Sequence, residues 1–183
     1  MDFDPETEVL VTVGASEAIA AAVLGLVEPG SEVLVLEPFF DTYAPVIAMA
    51  GSHRVAVPLT PDGRGFALDI DAVRAAITPR TRAIIVNSPH NPTGMVLTDE
   101  ELRALAALAV EADLLVISDE VYERLVFDGR THLPIGSYPG MAQRTVTISS
   151  AAKMFNCTGW KIGWACGAPD LIAGVRAAKQ YLS

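Results

Sequence analysis

A chain of 183 residues, 51% hydrophobic and with a formal net charge of −9, is long enough for one domain with a large core. Its acidity (pI about 4.7) disfavours nucleic acid and anionic membranes as partners. Its longest apolar stretch, the ten residues from Ala18 to Val27, is too short to cross a bilayer. The acidic start Met-Asp-Phe-Asp-Pro-Glu is not a signal peptide. Cys157 and Cys166 form no CxxC pair and point to reduced thiols in the cytoplasm. His53, His90 and His132 are scattered, so no metal site is expected.

Short apolar runs alternate with amphipathic stretches along the chain, the pattern of an α/β fold. Val9 to Val13 predicts a strand, and Ser16 to Val27 a helix that Pro29-Gly30 ends. Val33 to Leu36 is a strand, Tyr43 to Ala50 a helix stopped by Gly51, and Val55 to Leu59 a strand. Asp69 to Ala76 is a short helix capped by Asp69 or Asp71. Ala83 to Asn87 is a buried strand. Thr98-Asp-Glu-Glu101 is a capping box opening a helix to about Ala112. Leu114 to Ser118, Val146 to Ser149 and Ile162 to Cys166 complete seven strands, and Pro169-Asp170 opens a helix that runs into the C-terminus. The segment from Phe127 to Gln143, with two prolines and three glycines, is expected at the surface. Helical crossovers would bury most strands on both faces. The expected fold is a doubly wound three-layer sandwich, its seven-stranded sheet mostly parallel with one antiparallel strand. A mean hydropathy of +0.36 fits a sheet covered on both faces, a subunit interface or a neighbouring domain.

In open α/β sheets, ligands bind beyond the carboxyl ends of the strands, and special residues cluster there. Gly14-Ala15-Ser16 joins a strand to a helix whose free N–H groups could hold a phosphate; Ser16 could equally cap that helix. Glu37-Pro-Phe-Phe40-Asp-x-Tyr43 offers aromatic rings, either as core or as a face for a flat ligand. Asn87-Ser-Pro-His-Asn91-Pro-Thr-Gly94 is a polar, proline-broken loop in which Asn91 could donate to a ligand oxygen; a turn alone is the simpler reading. Asp119-Glu-Val-Tyr122 puts two carboxylates directly after a buried strand, where an unpaired charge is costly. Asp119 either caps a helix or faces a cationic ligand nitrogen.

The chain holds only three lysines against ten arginines. Two of them, Lys153 and Lys161, share the segment Ser150-Ala-Ala-Lys153-Met-Phe-Asn-Cys-Thr-Gly-Trp-Lys161-Ile-Gly163. Arginine cannot replace lysine in imine chemistry with a carbonyl group. A surface lysine is the bland alternative for Lys153. The five segments together supply a phosphate cradle, an aromatic plate, an amide, an acid with a phenol, and an imine-forming amine, which is the set that a pyridoxal-phosphate (PLP) site needs.

These segments resemble the class I/II aminotransferases of fold-type I over nearly the whole chain, and within them the kynurenine, methionine and N-succinyldiaminopimelate aminotransferase branch. The resemblance implies pyridoxal 5′-phosphate as cofactor, held by Lys153 as an internal aldimine. Lys153 would then shuttle a proton during transfer of an amino group between an amino acid and a 2-oxo acid, its amine partly neutral in a desolvated site. It implies Asp119 beside the pyridinium nitrogen, Tyr122 and Asn91 at the ring hydroxyl oxygen, and Phe40 stacked on the ring. Gly14, Ala15, Ser16, Ser150 and Lys161 would form the phosphate pocket. Lys161 stands where many members carry arginine, which keeps the charge and gives up bidentate geometry. A cis bond is expected between Asn91 and Pro92. The resemblance also implies a cytoplasmic homodimer.

Residues 1–183 would be the PLP-binding large domain of a family whose members run to about twice this length. The N-terminal arm and the C-terminal small domain, with the arginine that grips the substrate carboxylate, have no counterpart here. Other readings are a PLP-dependent carbon–sulfur β-lyase on the same fold, an inactive PLP-binding fragment or module, and a doubly wound domain for another phosphate ligand.

Overall fold

The computed structural model describes residues 2–63 and 65–182. In chain order they form β1 (Val9–Val13), α1 (Gly14–Leu26), β2 (Glu32–Glu37), α2 (Tyr43–Met49), β3 (His53–Pro58), the small hairpin β4 (Thr60–Pro61) and β5 (Phe66–Ala67), and α3 (Ile70–Ala76). There follow β6 (Thr81–Asn87), α4 (Asp99–Glu111), β7 (Leu115–Asp119), β8 (Thr145–Ser150), the single turn α5 (Ala151–Met154), β9 (Ile162–Cys166) and α6 (Pro169–Lys179). The end of the chain's last helix, predicted to reach the C-terminus, falls at Lys179, and Ser183 lies outside the described residues.

Seven strands make one sheet in the order β1-β9-β8-β7-β6-β2-β3. All run parallel except β9, which is antiparallel to both its neighbours. β1, β8, β7, β6 and β2 therefore finish at the same edge, and β9 starts there. This is the expected three-layer sandwich. Alternate residues of each central strand point to opposite faces. Val33 and Val35 of β2 join one core with α1, α2 and α6; Leu34 and Leu36 join the other with α3 and α4. Burial on both faces accounts for the continuous apolar runs that the sequence shows.

Local chemistry fixes the helix ends. Asp69 caps α3 by accepting from the N–H groups of Asp71 and Ala72. Thr98 and Glu101 complete their capping box at α4. α1 crosses α6 so closely that a Cβ on Gly25 would lie 2.4 Å from the Gly174 carbonyl oxygen, which locks the far end of α1 in place. Among the described residues no helix is long and apolar enough to cross a membrane.

Two features differ from expectation. The β4–β5 hairpin is too short to leave a periodic signal. The 127–143 segment is not wholly at the surface: Ile135 (in a 3₁₀ turn, Ile135–Ser137), Tyr138 and Met141 are buried in the second core, and the Tyr138 hydroxyl donates to Asp99 at 2.7 Å. Proline and glycine gave the segment the look of a solvated loop. Its three apolar side chains, each three residues from the next, close the core beside α4.

Candidate functional site

At the shared strand edge lies a cavity of about 480 Å³, a size suited to a small organic ligand. All ten residues singled out from the sequence line it: Gly14, Ala15, Ser16, Phe40, Asn91, Asp119, Tyr122, Ser150, Lys153 and Lys161. The topology explains the convergence. Gly14 follows β1, Asn91 follows β6, Asp119 ends β7, Ser150 ends β8, and Lys161 precedes β9. Val13, Ile19, Val121, Ala152 and Thr158 also line the cavity and were not foreseen.

The α1 end is built for close approach. Gly14 adopts φ +75°, a conformation open to glycine at no steric cost. A Cβ on Gly163 would stand 2.4 Å from the Gly14 carbonyl carbon and 2.6 Å from the Ala15 nitrogen. Glycine at 163 thus lets β9 lie against the first turn of α1. No side chain caps that turn. Ser16 sits inside the helix rather than at its cap, which removes the capping explanation for it. Uncapped N–H groups and the helix dipole at this end attract an anion. Glu17 folds back instead to accept from the Val13 N–H at 2.6 Å.

The floor is fixed by hydrogen bonds among strand ends. Asn87 donates its amide to the Asp119 carbonyl at 2.8 Å and accepts from the Asn91 N–H at 2.7 Å, tying the 87–94 loop to β7. The Asn91–Pro92 peptide is cis, as expected, and so are Glu37–Pro38 and Ser88–Pro89. Asp119 is buried, and no helix follows it to be capped. Its Oδ1 accepts from the Val121 N–H at 3.3 Å and its Oδ2 from the Tyr43 hydroxyl at 2.6 Å. Burial pushes its carboxyl up to about 6, against the pull of those two hydrogen bonds; the nearby Glu120 charge adds to the rise. Such a group favours a cationic neighbour. The phenol of Tyr122 is raised too, by burial and then by Asp119. His90, in the same loop as Asn91, is lowered to about 4 by burial, and its Nδ1 meets Thr93 Oγ1 at 2.8 Å.

The lysine side of the cavity is more open. Lys153 lies on α5, with Nζ 5.9 Å from the centre of the Tyr122 ring. It is exposed, which corrects the expectation of a desolvated amine. α5 is one turn long, and the following Phe155 and Trp160 are 68% and 75% exposed, so nothing in this segment covers the rim. Lys161 takes the left-handed conformation at φ +54°.

On the far side of Asp119, Glu120, Glu123 and His132 approach within 4.8 Å of one another. Nothing in the spacing of these residues announced this cluster. Its members already bond within the protein: Glu120 accepts from Ser118 at 2.8 Å and meets His132 Nε2 at 2.7 Å, and Glu123 accepts from Ser149 at 3.0 Å.

Comparisons with known proteins agree with this geometry. The family model for aminotransferase class I and II matches residues 1–182. The solved structure of N-succinyldiaminopimelate aminotransferase from Mycobacterium tuberculosis superposes with TM-score 0.99 and 76% identity, covering 100% of this chain and 48% of that one. An aromatic aminotransferase from Pyrococcus horikoshii gives TM-score 0.95 at 39% identity, over 99% of this chain and 48% of that one. Kynurenine–oxoglutarate transaminase 3 of Mus musculus is 44% identical over 97% of this chain and 41% of its own length. The chain spans about half the length of the relatives that it matches. Class I and II aminotransferases are PLP-dependent, and the residues here fit that cofactor: an uncapped helix end for the phosphate, a flat aromatic side chain, and a buried carboxylate with a raised affinity for its proton. The chain belongs to the class I and II aminotransferase family.

Proposed function

We propose that residues 1–183 form the cofactor-holding part of an aminotransferase that moves an amino group between an amino acid and a 2-oxo acid. The observation that carries this reading is the meeting of an uncapped helix N-terminus, a buried carboxylate and a lysine amine in one cavity of a family member.

In this reading the N–H groups of Gly14, Ala15 and Ser16, with the Ser150 hydroxyl and the Lys161 ammonium, hold the phosphate. Phe40 covers one face of the ring, and Asn91 and Tyr122 hydrogen-bond its hydroxyl oxygen. Asp119 presents its carboxylate to the ring nitrogen, and the proton between them keeps that end of the site neutral overall. When bound, PLP supplies an electron-accepting ring that stabilises negative charge at the substrate carbon beside the nitrogen. Lys153 would hold the cofactor covalently until the amino group of the incoming substrate displaces it, and its freed Nζ could then remove and return a proton at that carbon.

The 76% identity to the mycobacterial enzyme favours N-succinyldiaminopimelate as the amino acid partner of the complete enzyme. A cytoplasmic homodimer, inferred from the resemblance, is part of the same proposal. Incubation with PLP, borohydride reduction and peptide mapping test the site. A pyridoxyl group on Lys153 alone is the expected result. Modification at Lys179, or spread over all three lysines, would sink the assignment.

A further inference from the structure

Tyr43 is 1% exposed and does not line the cavity, yet it touches two residues that do. Its hydroxyl donates to Asp119 Oδ2 at 2.6 Å across a sequence separation of 76 residues. Its ring meets Phe40 edge-on, with centroids 5.8 Å apart and planes at 87°, and stacks on Phe39 at 6.4 Å. The position is fixed by the core: Tyr43 opens α2, its N–H bonds to the Phe40 carbonyl at 3.1 Å, and Val46 and Ile47 bury the same helix against the sheet.

We propose that Tyr43 is a positioning residue for the acid of the site: its hydroxyl clamps Asp119 so that the carboxylate meets the cavity in one orientation and in its ionised form. The proposal rests on the reading of Asp119 as the partner of a cationic ring nitrogen. A carboxylate in this position needs help to stay ionised, because burial favours the neutral acid. Few groups provide it. The Val121 N–H reaches Oδ1 at 3.3 Å, and the titratable neighbours are Tyr43 from α2 with Glu120 and Tyr122 from the segment after β7. Glu120 and Tyr122 can only add negative charge on ionising. Tyr43 is the neighbour that donates a short hydrogen bond from a side chain, and its own phenol is pushed well above the usual range by burial and by Asp119, so it stays a donor. Its contact with Phe40 couples the same clamp to the aromatic plate.

The test is a double-mutant cycle on PLP affinity in the full chain, read by fluorescence titration: unaltered protein, Tyr43→Phe, Asp119→Asn and the double variant. Tyr43→Phe keeps the ring and removes only the hydroxyl. It is expected to weaken PLP binding by about tenfold to a hundredfold, the worth of a hydrogen bond to a charged group, and to move the acid limb of the affinity-versus-pH curve to higher pH. In the Asp119→Asn background the same change should have little further effect. A Tyr43→Phe protein that binds PLP normally while Asp119→Asn does not would overturn the inference alone. An equal loss in both backgrounds would also overturn it, since Tyr43 would then act only through packing. Normal PLP affinity in Asp119→Asn would remove the underlying reading of the site, and the clamp with it.

Discussion

Two carboxylates are buried at opposite ends of the central sheet, and their surroundings differ in kind. Glu32, at the start of β2, is 4% exposed and accepts from Thr78, Thr81 and Arg80. Those bonds, Thr78 first and Arg80 next, hold its carboxyl below the usual range. Asp119, at the end of β7, is 3% exposed, has no cation among its hydrogen-bond partners, and is pushed up to about 6. A carboxylate supplied with its own arginine is complete within the fold and serves to join β2 to the turn before β6. One left without a cation beside a cavity is unfinished, and a ligand can finish it. The contrast makes Glu32 an acid satisfied within the fold and Asp119 the one open to a ligand, without reference to sequence motifs.

The largest expected effect tests that separation directly. Asp119→Asn should weaken PLP binding by about a hundredfold or more, the scale for removing one partner of a buried ion pair. Glu32→Gln should leave PLP affinity unchanged and lower the melting temperature instead. Fluorescence titration and thermal unfolding on the same two proteins decide the matter. A Glu32→Gln protein with impaired PLP binding would break the comparison.

Acid should act on the two groups in opposite senses. The folded-state carboxyl of Asp119 is raised above its unfolded value of about 4, so the folded protein gains stability as pH falls from above 6 towards 4 and loses it as pH rises. Glu32 is the reverse: its contribution is present above the unfolded value and is lost as pH falls through its lowered folded value. Without PLP, Asp119→Asn should therefore stabilise the protein by about 1 to 3 kcal/mol at pH 7.5 and have little effect near pH 4. Denaturant unfolding at the two pH values measures this. An Asp119→Asn protein no more stable than the parent at pH 7.5 would show that the buried charge carries no penalty.

Much of this was legible in the sequence because strand ends and turn chemistry are local. The apolar runs located the seven strands, and the glycines, prolines and polar residues just beyond them marked the cavity. What was hidden depends on distant contacts. Tyr43 looked like a core aromatic, and nothing nearby in the chain announces a bond to Asp119. Asn87 seemed to be only the end of a strand, although its side chain joins two loops. The Glu120–His132 pairing spans a loop whose path sequence could not trace. Exposure of Lys153 was also illegible, since it depends on what covers a one-turn helix. The expectation of a desolvated amine came from the resemblance and not from its neighbours, and Phe155 and Trp160 beside it are themselves exposed.

The smallest effect concerns the other end of the cavity, where the proposed phosphate site combines backbone N–H groups with the Lys161 ammonium and the Ser150 hydroxyl. Gly163 carries no side chain toward the ligand, yet a methyl group there would collide with the backbone of Gly14 and Ala15. Both contacts are main-chain atoms held by the sheet and by α1, so neither can swing aside, and the first turn of α1 must shift. Gly163→Ala should destabilise the protein by about 1 to 3 kcal/mol and weaken PLP binding by several-fold, through displacement of the N–H groups at the helix start. Inorganic phosphate, as a competitor of PLP, supplies the sharper readout: its inhibition constant should rise in Gly163→Ala and stay unchanged in Asp119→Asn, because the acid and the phosphate cradle lie on different strands. Equal weakening of phosphate in both variants would mean that the two ends of the cavity are one mechanical unit, and that Asp119 shapes the site as well as charging it.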